Sequence, residues 1–226
     1  SIYYYIVTSI VRTYTHNKNY SRNNSLINSA HNKDYIRLSK KLSYLLRHGA
    51  IKEGLSIRTD GFSPIDQLLS EKLQGYTLED IKKVVETNDK RRFILRENNG
   101  NWEIKATQGH SINNINNLYL KQLDHVDFDI IHGTYYRNWE SIKLKGLSRM
   151  RRNHIHFSKG LNFICGLRKS AEIYIYIDFE KAKREGLKFF ESENEVILCA
   201  GNDEGIIERK YFLKVYSKNW EILDLD

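Results

Sequence analysis

Leu38-Ser39-Lys40-Lys41-Leu42-Ser43-Tyr44-Leu45-Leu46-Arg47-His48-Gly49 is the stretch from which the rest of the chain can be read. Leu38, Leu42, Leu45 and Leu46 recur at helical spacing and define one buried stripe. Gly49 follows the last of them and predicts a helix stop in the left-handed conformation, which places Arg47 and His48 in the final turn. Cations in a last turn complement the helix dipole and the free carbonyls, so the pair taken alone reads as capping. It gains a chemical meaning only from arginines elsewhere in the chain.

Further along, Ser63-Pro64-Ile65-Asp66 predicts a second helix, with Ser63 as cap, Pro64 at the first helical position and a carboxylate three residues after the cap. Thr77-Leu78-Glu79-Asp80 repeats the pattern, and Leu78, Ile81, Val84 and Val85 form the apolar face of a third helix. The strand-like runs Arg92 to Leu95 and Trp102 to Ile104 flank Asn98-Asn99-Gly100, a hairpin turn. Three short helices followed by a two-stranded wing predict a winged-helix arrangement, a relative of the helix-turn-helix modules that bind nucleic acid.

The character of the chain changes near His125. Ile130 to Thr134 reads as a buried strand running into a glycine turn, Trp139 to Lys145 as a short helix closed by Gly146, and Phe179 to Glu185 as another stopped by Gly186. Strands are expected at His154 to Phe157, Ile173 to Asp178, Val196 to Cys199 and Phe212 to Tyr216. In Ile173-Tyr174-Ile175-Tyr176-Ile177 the isoleucines alternate with tyrosines at strand period. The fold class expected is α+β, with a compact sheet in the second half. No glycine-rich dinucleotide fingerprint or phosphate loop is present, so a nucleotide would be held some other way.

The 226 residues carry a net charge of +8 and a pI near 9.3, which points to an anionic partner. Residues 35 to 122 hold 15 Lys+Arg against 10 Asp+Glu, whereas residues 123 to 226 hold 17 of each. A basic lobe for a polyanion joined to a neutral lobe for something else follows from that split. The organisation expected is an extension over 1–34, poorly ordered and rich in Asn and Ser, then lobes over 35–122 and 123–226. The apolar opening from Ser1 to Val11 is too short to span a bilayer, so no membrane is expected. With only Cys165 and Cys199, both in strand-like surroundings and without paired spacing, neither a disulfide framework nor a zinc site is expected. An intracellular setting, cytoplasmic or nuclear, fits.

Four clusters could carry chemistry: Arg47-His48, Lys90-Arg91-Arg92, Gln108-Gly109-His110-Ser111, and Arg149 through His156. His154 and His156 would share a strand face, but no Asp, Glu or Cys cluster accompanies them and no metal is expected. Arginine forks bind phosphate bidentately and keep their charge, so several of them with one histidine suit phosphoryl chemistry without a metal.

These residues, with Asp60-Gly61-Phe62, Thr87-Asn88-Asp89 and Phe93, His132-Gly133-Thr134, Gly166-Leu167-Arg168, Phe189 to Asn194 and Lys210-Tyr211-Phe212, resemble in order the tRNA 2′-phosphotransferase family from Leu38 to Phe212. The resemblance implies a winged-helix RNA lobe and a mixed α/β lobe like those of ADP-ribosyltransferases; a monomer is expected. It implies transfer of the 2′-phosphate of spliced tRNA, or of another RNA with an internal 2′-phosphate, to NAD as co-substrate. The family's catalytic set maps onto Arg47, His48, Arg92 and Arg152. Its NAD pocket maps onto His132, Gly133, Thr134, Ser158, Gly166, Arg168, Ser192 and Asn194, and RNA contacts fall to Lys41, Lys90, Arg91, Gln108, His110 and Ser111. Three positions depart from the family pattern: Lys105 and Thr107 replace Arg and Asn, and Glu195 replaces a glycine. A carboxylate at 195 is expected to weaken NAD affinity, by its charge and by the loss of a permissive backbone position.

Overall fold

The computed structural model describes residues 34–113, 115, 119–163 and 165–225, so the expected extension over 1–34 lies almost wholly outside the described residues. The fold is α+β, with antiparallel strand pairing throughout its described sheets. Contacts divide the chain into two compact units. Ser1–Ile57, Phe62–Asn88 and Phe93–Ala106 form the first; Arg58–Gly61, Asp89–Arg92 and Thr107–Asp226 form the second. Among the described residues no helix is long and apolar enough to cross a membrane.

In the first unit helix α1 covers 34–44 and buries Leu38 and Leu42 completely. It ends differently from the sequence expectation. Leu45–Gly49 is a single π turn, and the backbone beyond it at Ala50 is still right-handed. Gly49 is therefore not a left-handed stop. A Cβ there would stand 2.7 Å from the Tyr44 ring, so close packing, rather than dihedral freedom, is what the glycine provides.

The second helix also starts differently. Ser63–Pro64 is a short strand, β1, and helix α2 runs from Ile65 to Glu71 with Pro64 as its cap. Ser63 gives its hydroxyl to the Ser56 carbonyl, 2.7 Å away, and so does not cap. Proline is tolerated there because β1 is an edge strand of the sheet β1-β3-β2.

Helix α3, Leu78–Glu86, is capped as expected. Thr77 Oγ1 accepts from the Asp80 amide at 3.2 Å, and the Asp80 carboxylate accepts from the Thr77 amide at 2.8 Å. Strands β2, Phe93–Asn98, and β3, Asn101–Ala106, pair in register around Asn99-Gly100, both at positive φ as a two-residue hairpin turn requires.

The second unit is built on a seven-stranded sheet of order β12-β8-β5-β7-β10-β9-β4. Its strands are β4 (Lys121–Gln122), β5 (Ile130–Thr134), β7 (Ile155–Lys159), β8 (Ile173–Ile177), β9 (Phe189–Glu191), β10 (Ile197–Cys199) and β12 (Phe212–Ser217). A separate pair joins β6, Leu147–Ser148, to β11, Ile206–Ile207. Helices α4, Tyr136–Lys145, and α5, Phe179–Arg184, complete it; Asp178 caps α5 by accepting from the Lys181 amide rather than extending β8.

Ile130, Phe157, Ile173, Ile175, Phe189, Ile197 and Val215 form the core of this unit. The isoleucine alternation in β8 holds, but Tyr176 is buried as well, against Tyr216 with ring centroids 5.8 Å apart. His154 precedes β7 instead of opening it, so it and His156 are not paired on one strand face. Cys165 lies in a loop rather than a strand; it and Cys199 are buried free thiols.

Replacing Thr77 by Ala removes half of the capping box and leaves the Asp80 amide without its partner. The expected cost is about 1 kcal/mol of unfolding free energy, measured by urea denaturation with the slope unchanged.

Candidate active site

Within the first unit, Arg47 and His48 occupy the π turn. Leu45, Leu46 and Gly49 are buried, Arg47 is half-buried and His48 exposed. A π turn adds one residue to a helical turn and thereby re-aims the side chains that follow, which is why such turns recur at functional sites. Arg37 and Lys41, with Asp34, Gln74, Gly75 and Tyr76, line an open cleft. Lys105, one of the three departures, is almost fully buried on β3 with its ammonium 5.0 Å from the centre of the Phe62 ring.

Within the second unit the cationic residues are gathered around one loop. Gly166 has φ +85°, and a Cβ there would overlap the Phe157 carbonyl. Gly133, on β5, would put a Cβ 2.6 Å from Leu167 and 2.9 Å from Ala171. These two glycines let the loop 165–171 lie directly on β5 and β7, and that loop carries Arg168. Ser158, wholly buried, spends its hydroxyl on the Gly160 carbonyl at 2.7 Å, and Thr134 anchors the loop's far end by accepting the Glu172 amide.

His132 donates through Nδ1 to the His156 carbonyl at 2.9 Å, which leaves Nε2 as an acceptor. Burial, and then the charges of Arg168 and Arg152, hold its pKa below the ordinary histidine value, so the ring is neutral. Burial and Arg168 likewise lower Arg152. Burial lowers Lys90, joined by Arg92, Lys169 and Arg168. Tyr135 shares a 2.9 Å hydrogen bond with Ser170, which together with Arg168 favours its phenolate form.

Arg168 is thus felt at His132, Arg152, Lys90 and Tyr135. This part of the second unit therefore presents concentrated positive charge, of the kind that suits an anion. Tyr135 and Lys169 were not singled out from the sequence, although each directly follows a motif residue, Thr134 or Arg168.

Arg152 is oriented by a tight turn: its amide donates to the Arg149 carbonyl at 3.0 Å, and Arg149 Nη1 returns a bond to the Arg152 carbonyl at 3.0 Å. The next residue, Asn153, donates to the carbonyl of His110 at 3.0 Å, so His110 braces this turn.

Arg92 lies in a strap, Asp89–Arg92, whose carbonyls are held one after another. Asn194 Nδ2 takes that of Lys90 at 3.0 Å, and Thr107 serves those of Arg91 and Arg92 through its hydroxyl and amide. Lys90 Nζ reaches the Leu167 carbonyl at 3.2 Å. Ser192 bonds Asn194 Oδ1 at 2.8 Å and receives the Val196 amide at 3.1 Å, so the polar atoms of Ser192 and Asn194 serve the strap itself. Glu195 adopts φ +61°, and its carboxylate is ion-paired with Arg91. Among the described residues no cluster of three or more His, Cys, Asp or Glu side chains could hold a metal ion.

Gly166→Ala is expected to cost roughly 2–4 kcal/mol, because it adds both a left-handed φ penalty and overlap with backbone that cannot swing away; thermal unfolding measures it. A second expectation concerns pH. Since the folded pKa of His132 is depressed, the unfolded chain takes up the proton first, near its ordinary value of about 6.5. Stability is therefore intact above that pH and is lost as pH falls from there toward the folded value. His132→Asn, which keeps a donor for the His156 carbonyl, should flatten part of the decline in melting temperature between about pH 7 and pH 5.

Residues 33–201 match the model of the RNA 2'-phosphotransferase, Tpt1 / KptA family. The chain is 42% identical over 188 residues to a protein of Danio rerio named tRNA 2'-phosphotransferase 1, covering 78% of this chain and 83% of that one. It is 42% identical over 187 residues to the Homo sapiens protein of the same name, covering 78% and 74%. To the Saccharomyces cerevisiae tRNA 2'-phosphotransferase it is 37% identical over 204 residues, covering 84% and 88%. A match of this extent, over residues that include both cationic groups just described, makes the chain a transferase belonging to the RNA 2′-phosphotransferase family.

Proposed function

We propose that this enzyme removes the 2′-phosphate left at a spliced tRNA junction by transferring it to NAD. The products are RNA with a 2′-hydroxyl, nicotinamide and ADP-ribose 1″,2″-cyclic phosphate, formed through an RNA whose 2′-phosphate carries ADP-ribose. The observation that carries this reading is that buried Lys90, Arg152 and neutral His132 all lie within electrostatic reach of Arg168, with Arg92 beside Lys90.

A dianionic pyrophosphate cofactor fits such a surface. Arg168 is assigned to a cofactor phosphate and His132 Nε2, as an acceptor, to a hydroxyl or amide proton. Gly133, Thr134, Ser158 and Gly166 act by seating the loop that carries Arg168, and Ser192 and Asn194 by holding the strap. NAD supplies the anomeric carbon that receives the phosphate and the neighbouring hydroxyl that later takes it over. Arg47, Arg92 and Arg152 are assigned to the phosphate and to the charge that grows on it, and His48 to the proton of the departing 2′-oxygen. Guanidinium groups neutralise that charge without a metal.

Lys41, Lys90, Arg91, Gln108, His110 and Ser111 are assigned to the RNA, though the His110 carbonyl also braces the Arg152 turn. Helices α1 to α3 with the β2–β3 wing support a winged-helix reading of the RNA lobe, and the seven-stranded sheet an ADP-ribosyltransferase-like reading of the NAD lobe. Buried free thiols accord with a cytoplasmic or nuclear setting.

The test is to incubate the protein with a 2′-phosphorylated oligonucleotide and NAD and to identify the products. Nicotinamide leaves neutral in the first step, whereas a poor alkoxide leaves in the second, so stabilising groups matter more in the second. Arg152→Ala and His48→Ala should slow that step by about 10²-fold or more, and RNA bearing ADP-ribose should accumulate in a single-turnover time course. Accumulation of that species by the unaltered protein would make it an ADP-ribosyltransferase instead. Direct decay of substrate to dephosphorylated RNA in both variants would remove the division of labour.

A further inference from the structure

Glu195, the one acidic departure from the family pattern, meets a cation of its own chain. Its carboxylate pairs with Arg91, 104 positions away in the chain, and both residues sit at positive φ, +44° for Arg91 and +61° for Glu195. Two side-chain-bearing residues in the left-handed region, facing each other with opposite charges, is a costly arrangement to keep unless the contact serves a purpose.

The surroundings show what it is attached to. On one side is the strap, whose three consecutive carbonyls, Lys90, Arg91 and Arg92, are already taken by Asn194 and Thr107. On the other is the turn 192–195, closed by the Glu195 amide on the Ser192 carbonyl at 2.8 Å and stiffened by the Ser192 hydroxyl bonds to Asn194 and Val196. The strap has no regular secondary structure of its own, so its order comes from these attachments. The Arg91 side chain is the handle by which the same turn grips the strap a second time, one residue before Arg92.

We propose that Arg91 and Glu195 are positioning residues: their ion pair latches the strap so that Arg92 is held in the orientation that phosphate chemistry requires. The role of Arg92 rests on the functional reading above, whereas the latch itself does not. The side chains are 58% and 41% exposed, so the pair contributes little to global stability and acts on local order. Loss of an exposed pair corresponds to roughly a two- to fivefold change in a local equilibrium.

The experiment uses the full chain and four variants: Glu195→Gln, Glu195→Gly, Arg91→Gln, and the charge exchange Arg91→Glu with Glu195→Arg. Native-state hydrogen exchange is followed at the amides of residues 90 to 93, which needs no activity. Glu195→Gln and Arg91→Gln should open the strap roughly two- to fivefold while the melting temperature stays put. Glu195→Gly should open it equally while the melting temperature rises, because glycine relieves the φ of +61°. The charge exchange should restore protection.

In turnover with 2′-phosphorylated oligonucleotide and NAD, kcat should fall by a similar factor in the three single variants, with KM for NAD unchanged, and should recover in the exchange. Unaltered strap protection in Glu195→Gln would overturn the latch. A changed KM for NAD with kcat intact would overturn it too, by assigning the carboxylate to the cofactor. If the unaltered protein shows no turnover, the functional reading and the role of Arg92 fall, while hydrogen exchange still decides whether the latch exists.

Discussion

Cations do not gather of their own accord, and the second unit is organised around forcing them to. Burial lowers the pKa of Arg152, Lys90 and His132, and the charge of Arg168 adds to that at each of them. Such an arrangement is destabilising by itself, and it persists only because the backbone that carries the charges is held by bonds that do not depend on them. Gly133 and Gly166 seat the Arg168 loop by close packing, the Arg149 turn fixes Arg152, and Asn194 with Thr107 fixes the strap of Arg92.

This accounts for the division between motif residues that present charge and motif residues that hold backbone. Ser158, Ser192 and Asn194 direct their polar atoms to carbonyls and amides of the protein itself. Their contribution to an anion site is geometric. Arg152 and Arg168, by contrast, have their backbone held in turns, through the Arg152 amide on the Arg149 carbonyl and the Ala171 amide on the Arg168 carbonyl. Thr107, a departure from the family pattern, supplies its hydroxyl as a donor to the strap.

Much of the local structure was legible in the sequence because it is decided by residues three or four apart. The leucine stripe of α1, the Thr77–Asp80 capping box, the Asn99-Gly100 hairpin and the isoleucine alternation of β8 are all of this kind, and all appear where periodicity and turn chemistry put them. The errors were also local in origin. Ser63 and Gly49 carried the ordinary signals of a cap and a stop, but an edge strand claimed Ser63 and the Tyr44 ring claimed the space over Gly49. Strands of two or three residues, such as β1, β4, β6 and β11, have too few positions to show a period.

The site shows the same boundary. Sequence alone determined where the arginine clusters lie and that a histidine ends the leucine stripe, since both are visible as letters, and the family resemblance marked Glu195 as a departure. Only the tertiary structure decided that Arg168 is the residue the other cations share, that Tyr135 and Lys169 belong beside it, and that the Glu195 carboxylate belongs to Arg91. Helix periods and turns are short-range consequences of backbone geometry, whereas a charge acts through space on whatever the fold brings near, and a partner 104 positions away leaves no periodic trace in the chain.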